Sequence, residues 1–482
     1  MKRPSPLRHL IGSCAAGLRT RRASARPTRH QRGGSGDPPR KGWAIVALVL
    51  ALLAATTATA AERVALPQFK SGYERPSTEV PPPLGHFYDV MDGLALVVGL
   101  AVASYMAIRA RSRRGMWWLA LVSLVYLGFW RGGCLCSIGS IQNVALALFR
   151  GEYITPVAIV AFTLPLVFTL FFGRTFCAGV CPLGAIQELV VIRPLKVPLW
   201  LDHALGLLAY VYLGAAVLFA ATGAAFIICD YDPFVSIFRL LPLRRPGDAM
   251  EALGGSANML IVGGAFLAAG LFIGRPYCRW LCPYGAILRV LGRFSKWRVT
   301  ITPEECIKCR LCEDACPFGA IRRPTEPLPR GTRRIERRRL AVLLVVVPAV
   351  LAAGAGLGWW LGAPMSRMHV TVRQAERVHL EETGQVEGTD NLSDGFYNTH
   401  RPREELYAEA KAIQAGFARG GLILGAWVGL VVAAKLIQLS VRRTRTDFEP
   451  DRGTCVSCGR CFAYCPIERE RWKKGAGGEK KP

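Results

Sequence analysis

Eight stretches of this 482-residue chain are too apolar to sit comfortably in water: residues 43–61, 90–108, 116–130, 153–173, 203–228, 256–274, 338–362 and 419–440. A helix that spans a bilayer needs about 20 consecutive apolar residues, and all but the short run at 116–130 approach that length. Within lipid every backbone N–H and C=O must be satisfied inside the segment, so such runs fold as helices and pack into a bundle. The expected fold class is therefore mainly α, a polytopic helical membrane protein of about eight transmembrane helices. The first run ends in Ala58-Thr59-Ala60-Ala61, which suits either a cleaved signal peptide, leaving seven helices, or a retained first helix.

Charge orients the bundle. Lys and Arg number 61 against 34 Asp and Glu, a net charge of +27, although 51% of the residues are hydrophobic. Basic residues in short loops mark the cytoplasmic side. Arg109, Arg111, Arg113 and Arg114 put the 109–115 loop inside. Counting helices from there, 174–202, 275–337 and 441–482 face inward, while 62–89, 131–152, 229–255 and 363–418 face outward. Arg330, Arg333, Arg334, Arg337, Arg338, Arg339, Arg442, Arg443 and Arg445 all fall on the inner side, which agrees with the count. The basic tail 1–42 has no interleaved aromatic residues and abuts an apolar run, so it reads as a solvated cytoplasmic tail. The membrane is its expected partner and nucleic acid is not.

Sixteen cysteines lie mostly in tight groups. Two segments share the spacing C-x2-C-x2-C-x3-C-P: Cys306, Cys309, Cys312, Cys316-Pro317 and Cys455, Cys458, Cys461, Cys465-Pro466. Thiolates suit iron, and three closely spaced cysteines wrap one [4Fe–4S] cluster while the fourth ligates the other. One cluster is thus expected on Cys306, Cys309, Cys312 and Cys465, and a second on Cys455, Cys458, Cys461 and Cys316. Two apolar runs separate the halves, so both return to the cytoplasmic face, where they can meet as a split bacterial-type 2[4Fe–4S] ferredoxin module. A zinc ribbon needs two C-x2-C pairs and leaves the third cysteine and the Cys-Pro unexplained.

A repeat supplies the next group. Gly173-Arg174-Thr175-Phe176-Cys177-Ala178-Gly179-Val180-Cys181-Pro182 recurs as Gly274-Arg275-Pro276-Tyr277-Cys278-Arg279-Trp280-Leu281-Cys282-Pro283. Cysteines four apart share a helical face, and the proline can begin a new helix. Cys177, Cys181, Cys278 and Cys282 can hold a third cluster, form redox disulfides, bind copper or zinc, or serve as a structural elbow of reduced thiols. On the outer side lie Cys134-Leu135-Cys136 and Cys229 before Asp230-Tyr231-Asp232-Pro233. The Cys134/Cys136 pair can be an outer redox or metal site or an inert pair. No C-x-x-C-H occurs and only His203 borders an apolar run, so haem is not expected. No glycine pattern for nucleotide binding stands between a strand and a helix.

These motifs resemble those of NosR/NapH-type membrane iron–sulfur proteins, over most of the chain from about residue 90 onward. The resemblance rests on both C-x3-C-P elements, both cluster motifs and Arg131-Gly132-Gly133-Cys134-Leu135-Cys136-Ser137-Ile138-Gly139. It implies an electron-transfer component rather than a stand-alone catalyst, linked to a quinone or to a periplasmic redox protein or reductase, with a cytoplasmic electron donor. It places the chain in the bacterial inner membrane as a multi-pass protein. The related FixG/CcoG type implies a different task, reduction of copper or assembly of a cofactor, and a redox-sensing regulator is a third reading. No FMN is expected, because 62–89 is short and Thr222-Gly223-Ala224-Ala225 lacks the final Thr of a flavinylation signature.

The expected organisation follows. A basic tail (1–42) leads to a helix or signal (43–61) and a short periplasmic segment (62–89). A membrane domain with both C-x3-C-P repeats (90–296) precedes the first ferredoxin half (297–327). Helix 338–362, a periplasmic segment (363–418) and helix 419–440 lead to the second half (446–470). The periplasmic segment, with Glu381, Glu382, Glu387, Asp390, Asp394, Glu404 and Glu405, reads as a docking surface for a redox partner or as a plain linker.

Overall fold

A computed structural model describes residues 86–133, 136–192, 194–240, 257–301, 306–325, 332–441 and 444–470. The basic tail, the run 43–61, nearly all of 62–89 and Cys134 lie outside the described residues. The chain is mostly helical. In order, α1 is His86–Ile108, α2 Arg113–Ser123, α3 Ser140–Arg150 and α4 Pro156–Phe172. Next come α5 Thr175–Gly179, α6 Pro182–Leu189, α7 Leu199–Leu205, α8 Leu208–Thr222, α9 Ile227–Asp230 and α10 Val235–Leu240. Then follow α11 Ala257–Gly270, α12 Pro276–Trp280, α13 Pro283–Leu291 and α14 Leu311–Asp314. The last helices are α15 Thr332–Ser366, α16 Val370–Glu382, α17 Asn391–Tyr397, α18 Arg403–Ser440 and α19 Arg460–Tyr464. Two short strands, β1 Ile321–Arg322 and β2 Glu449–Pro450, complete the set.

Among the described residues four helices are long and apolar enough to cross a membrane: Phe87–Ile108, Leu199–Thr222, Glu336–Ser366 and Arg403–Ser440. Pro156–Phe172 and Met259–Gly270 are apolar but shorter. The run at 116–130 forms α2 and then a π-helical stretch, Leu124–Trp130. π-helical turns are rare and often mark functional sites, and this one leads directly into the Gly132-Gly133 turn before Cys136. The run expected at 203–228 ends earlier, at Thr222, because Gly223 takes a left-handed φ of 72° and closes the helix. Thr222 therefore sits at a helix end, its hydroxyl bonded back to Leu218 O at 2.9 Å.

The segment 363–418 is helical. α15 and α18 run on past their apolar stretches into it, α16 packs on α18, and α17 packs on α16. Val372, Ala375, Val378, Phe396, Leu406 and Ala410 form a small core of their own. Asp390 caps α17 in a reciprocal capping box with Ser393, which fixes the start of that helix. Arg403–Ala418 is charged enough to look like a linker, but the charges lie on an exposed face and Leu406, Ala410 and Phe417 on the buried one.

α15 and α18 form an antiparallel hairpin closed by glycines four apart. Gly354, Gly358 and Gly362 meet Gly425, Gly421 and Ala418: a methyl on Gly362 would stand 2.8 Å from Ala418 Cα, and one on Gly354 2.5 Å from Gly425 O. Small residues at this spacing let helix backbones touch, which is how helices associate where hydrophobic burial gives no net drive. The hairpin leans on α8, where the rings of Phe219 and Phe417 meet at 5.5 Å with their planes tilted by 58° and Trp427 Nε1 donates to Tyr210 O at 3.0 Å. It leaves from the first cysteine-rich half and returns at the second.

There the halves pair. β1 and β2 are antiparallel, with Ile321 opposite Pro450 and Arg322 opposite Glu449. Asp451 N donates to Ala320 O at 2.7 Å, and Thr325 N to Arg445 O at 2.9 Å. Val299, Ile301, Ile321, Phe448 and Phe462 bury Cys312 and Cys461 between them.

Candidate iron–sulfur centres

The two cysteine-rich loops share a backbone course. Lys308 and Ser457, each one residue before a cysteine, have φ of 54° and 58°. Arg310 and Gly459, each one residue after that cysteine, have φ of 64° and 80° and cap α14 and α19. Three non-glycine residues in the left-handed region are costly, and such strain persists where the surroundings demand it. Loops of this kind turn successive N–H groups inward and suit a negatively charged occupant.

The fourth cysteine of each half crosses over. Cys316 shares a cavity with Cys455, Cys458 and Cys461, walled by Val299, Phe318, Ala320 and Ile321. Cys461 is in electrostatic range of Cys455, Cys458 and Cys316. Cys312 is in range of Cys309, Cys306 and Cys465. Burial pushes the Cys312 thiol up to about 11 and the Cys455 thiol up to about 12, and neighbouring sulfurs add to both. Bare thiols so placed stay protonated at neutral pH, and a metal that displaces their protons relieves the cost. Backbone N–H groups aim at the sulfurs: Ala320 N at Cys316 Sγ, 3.4 Å, and Ser457 N at Cys455 Sγ, 3.5 Å. The donor set, the inward N–H groups and the cavity fit an iron–sulfur cluster.

The C-x3-C-P elements are built differently from the single helix that their spacing suggests. α5 ends at Gly179 and α6 opens at Pro182, with Cys181 as its N-cap; α12, Cys282 and Pro283 repeat the arrangement. The proline that starts each second helix stops the first, since it has no N–H to continue it. The break turns each cysteine pair inward, and Cys181 is in electrostatic range of Cys177, Cys278 and Cys282. Gln187 Nε2 donates to Cys278 Sγ at 3.2 Å, Gly285 N to Cys282 Sγ at 3.2 Å and Arg174 Nη2 to Cys177 Sγ at 3.7 Å.

Two arginines from equivalent places in the repeat, Arg174 and Arg275, are 3% and 1% exposed. Arg174 reaches Gly453 O at 3.2 Å, and Arg275 bonds Glu188 Oε2 at 3.1 Å and the Cys177 carbonyl. Among the described residues Arg174 Nε and Arg275 Nη2 nevertheless find no hydrogen-bond partner. A buried guanidinium N–H without an acceptor is expensive, and four thiolates around a cluster would supply the missing negative charge. The residues fit such an anionic group.

Position orders the centres. Cys177 and Cys278 line a cavity with Phe318, Gly453, Thr454 and Val456 of the cysteine-rich halves. Cys181, on the other side of the quartet, lines a small cavity with Cys136. Cys136 is brought to Cys229, and its sequence neighbour Cys134 lies outside the described residues. Among the described residues no three His, Cys, Asp or Glu side chains close on a point for one metal ion; a cube takes one thiolate per iron, so its ligands stand farther apart.

The charged and amide residues of these sites had no sequence signal strong enough to single them out. Gln187 and Glu188 stand inside an apolar stretch with no motif of their own. The repeated Gly-Arg before each cysteine pair was the available clue to Arg174 and Arg275.

Comparison with known proteins bears on these sites. A family model for a 4Fe–4S binding domain matches 154–199 and again 257–302, the two C-x3-C-P elements with the helices before them. A second 4Fe–4S binding domain model matches 299–322. Protein NirI of Paracoccus denitrificans is 31% identical over 253 residues, covering 48% of this chain and 36% of NirI. The putative electron transport protein YccM of Escherichia coli is 28% identical, covering 37% of this chain and 52% of YccM. The regulatory protein NosR of Pseudomonas aeruginosa is 30% identical, covering 41% of this chain and 28% of NosR. The chain thus spans about half or less of the length of these relatives. No solved structure matches. Taken with the cysteine geometry and the long apolar helices, these matches show a chain that carries 4Fe–4S binding domains and is similar, over part of its length, to NirI, NosR and MauN.

Proposed function

We propose that the chain conducts electrons between a cytoplasmic donor and a quinone-linked or periplasmic redox partner in the bacterial inner membrane. The two ferredoxin quartets are Cys306, Cys309, Cys312, Cys465 and Cys455, Cys458, Cys461, Cys316, and Cys177, Cys181, Cys278 and Cys282 form a third. Clusters held there supply one-electron transfer. The protein's share is to hold each quartet dry, neutralise its charge with Arg174 and Arg275, and keep neighbouring quartets in contact.

The observation that carries this reading is the placing of the C-x3-C-P quartet. Its inner cysteines border the ferredoxin loops and its Cys181 borders Cys136. A relative named for electron transport supports the same reading. A hydrocarbon core of about 30 Å makes intermediate centres a requirement for such conduction.

The test is transport across a vesicle. The chain is reconstituted in liposomes with ferricyanide trapped inside and dithionite-reduced ferredoxin outside. The wild type reduces the trapped dye, and Cys177→Ser/Cys278→Ser slows it at least tenfold with the ferredoxin-type EPR signals intact. An unchanged rate in that variant contradicts the reading.

A further inference from the structure

Cys181 and Cys282 each open a helix with one short pattern. Cys181-Pro182-Leu183-Gly184-Ala185-Ile186-Gln187 matches Cys282-Pro283-Tyr284-Gly285-Ala286-Ile287-Leu288. A looser form of the pattern stands twice more in the chain, outside the C-x3-C-P elements; the first copy keeps the glycine but has Ser137 for the proline, and the second keeps the proline but has Val235 for the glycine. One copy is Cys136-Ser137-Ile138-Gly139-Ser140-Ile141-Gln142, leading into α3. The other is Asp232-Pro233-Phe234-Val235-Ser236-Ile237-Phe238, leading into α10, and there an aspartate takes the place of the cysteine.

The structure pairs these two copies as it pairs the first two. Gln187 Oε1 accepts the N–H of Tyr277, the residue before Cys278, at 3.2 Å. Gln142 Oε1 accepts the N–H of Ile228, the residue before Cys229, at 3.1 Å. Cys282 Sγ caps α13 by accepting the N–H of Gly285. Cys136 likewise receives the N–H of Gly139. Asp232 Oδ1 accepts those of Phe234 and Val235 at 2.8 and 3.3 Å. Cys136 thus corresponds to Cys181, Cys229 to Cys278, and Asp232 to Cys282.

These side chains also converge. A methyl on Gly139 would stand 3.2 Å from Cys229 Sγ and 3.9 Å from Cys136 Cβ. Cys136, Cys229 and Asp232 line one cavity, and Asp232 is only 3% exposed. Both of its backbone hydrogen bonds fall on Oδ1, which leaves Oδ2 for a ligand. A carboxylate is a harder donor than thiolate but a competent one for iron. Holding the start of α10 accounts for Oδ1; the second oxygen of this buried carboxylate is left on the wall of a cavity with two thiols, where it needs a partner.

We propose that Cys136, Cys229 and Asp232 ligate an iron–sulfur cluster, in a degenerate copy of the C-x3-C-P site with mixed thiolate and carboxylate ligation. It is the next centre beyond Cys181 on the side away from the ferredoxin halves. The proposal rests on the reading of the C-x3-C-P quartet as a cluster site.

Iron counting on the full chain tests it, after purification in detergent and anaerobic reconstitution with iron and sulfide. Cys136→Ala/Cys229→Ala loses about four iron atoms per chain and one EPR-detectable centre, with the ferredoxin signals unchanged. Asp232→Ala also loses iron, whereas Asp232→Cys keeps the full count and alters the EPR signal of that centre alone. Unchanged iron in the double variant overturns the proposal, and so does an Asp232→Cys spectrum identical to wild type. The parent reading is separated by Cys177→Ala/Cys278→Ala: full iron in that variant removes the third quartet, whatever the outer variants show.

Discussion

Glu188 Oε1 accepts Arg460 Nη2 at 2.6 Å, joining the first C-x3-C-P element to a residue 272 positions later in the second ferredoxin half. Arg113 Nη2, at the start of α2, reaches the same oxygen at 2.5 Å, and Arg275 Nε takes Oε2 at 3.1 Å. One buried carboxylate thus ties three separate segments together.

Removing that charge leaves three guanidinium groups facing each other. Glu188→Gln should destabilise the chain by about 3–5 kcal/mol, the usual cost of breaking a buried charge network. A lowered Tm in detergent, with earlier release of iron on heating, checks it. Burial alone would raise the Glu188 carboxyl, but Arg275, Arg460 and Arg113 outweigh it and hold it at about 2. A depressed carboxylate contributes stability fully present above its unfolded value near 4.5 and lost as pH falls through about 2. The Tm difference between wild type and Glu188→Gln should therefore be constant at neutral pH and shrink between about pH 4.5 and 2.

Asp451 holds the start of the second ferredoxin loop. Its Oδ1 accepts the N–H groups of Gly453 and Thr454 at 3.1 and 3.0 Å, and its Oδ2 pairs with Arg322 of the first half at 3.5 Å. Asp451→Ala should cost about 1–2 kcal/mol through the lost cap. Because the loop carries Cys455 and Cys458, a chelator should strip iron from the variant faster than from wild type. Equal stripping rates would show the cap to be dispensable.

The hydrogen bond from Gln187 Nε2 to Cys278 Sγ stabilises negative charge on that sulfur. Donors to cluster sulfurs raise the reduction potential. Gln187→Leu should lower the midpoint potential of the C-x3-C-P centre, with those of the ferredoxin pair unmoved. A redox titration followed by EPR measures both at once.

The glycine seam of the α15–α18 hairpin admits no larger side chain. Gly358→Val places methyl groups against Gly421 O and Gly425 Cα. Overpacking of this kind costs about 1–3 kcal/mol. Since the hairpin joins the halves, the variant should show a lowered Tm and weaker retention of both ferredoxin-type clusters. Ala substitution at Gly356, which has open space around it, is the control.

Much of this is legible in the sequence. The apolar runs at 90–108, 338–362 and 419–440 lie within α1, α15 and α18, because twenty apolar residues have few other places to go. The cysteine spacings marked both halves of the module, since ligand geometry leaves a local trace. The extension of α15 and α18 beyond the lipid-suited stretch was not legible. Charged helix and charged linker have similar composition, and Leu406 and Ala410 count as core only once Val372 and Phe396 face them. The break between Cys177 and Cys181 was half visible, in that proline announced the second helix but not the end of the first. Glu188, Gln187 and Gln142 acquire meaning only from partners 75 to 272 residues away. The approach of Cys229 to Cys136 was hidden for the same reason, since only the fold brings these two residues together.

The central claim is that each ferredoxin-type cluster is shared between halves far apart in the chain. Its most direct measurement is iron and acid-labile sulfide per chain, with EPR after reduction, for Cys465→Ala and Cys316→Ala. Cys465→Ala should disturb the centre held by Cys306, Cys309 and Cys312 and spare that of Cys455, Cys458 and Cys461; Cys316→Ala should do the reverse. If each variant instead disturbs the centre of its own half, or if the wild type binds zinc and gives no EPR signal, the account is wrong.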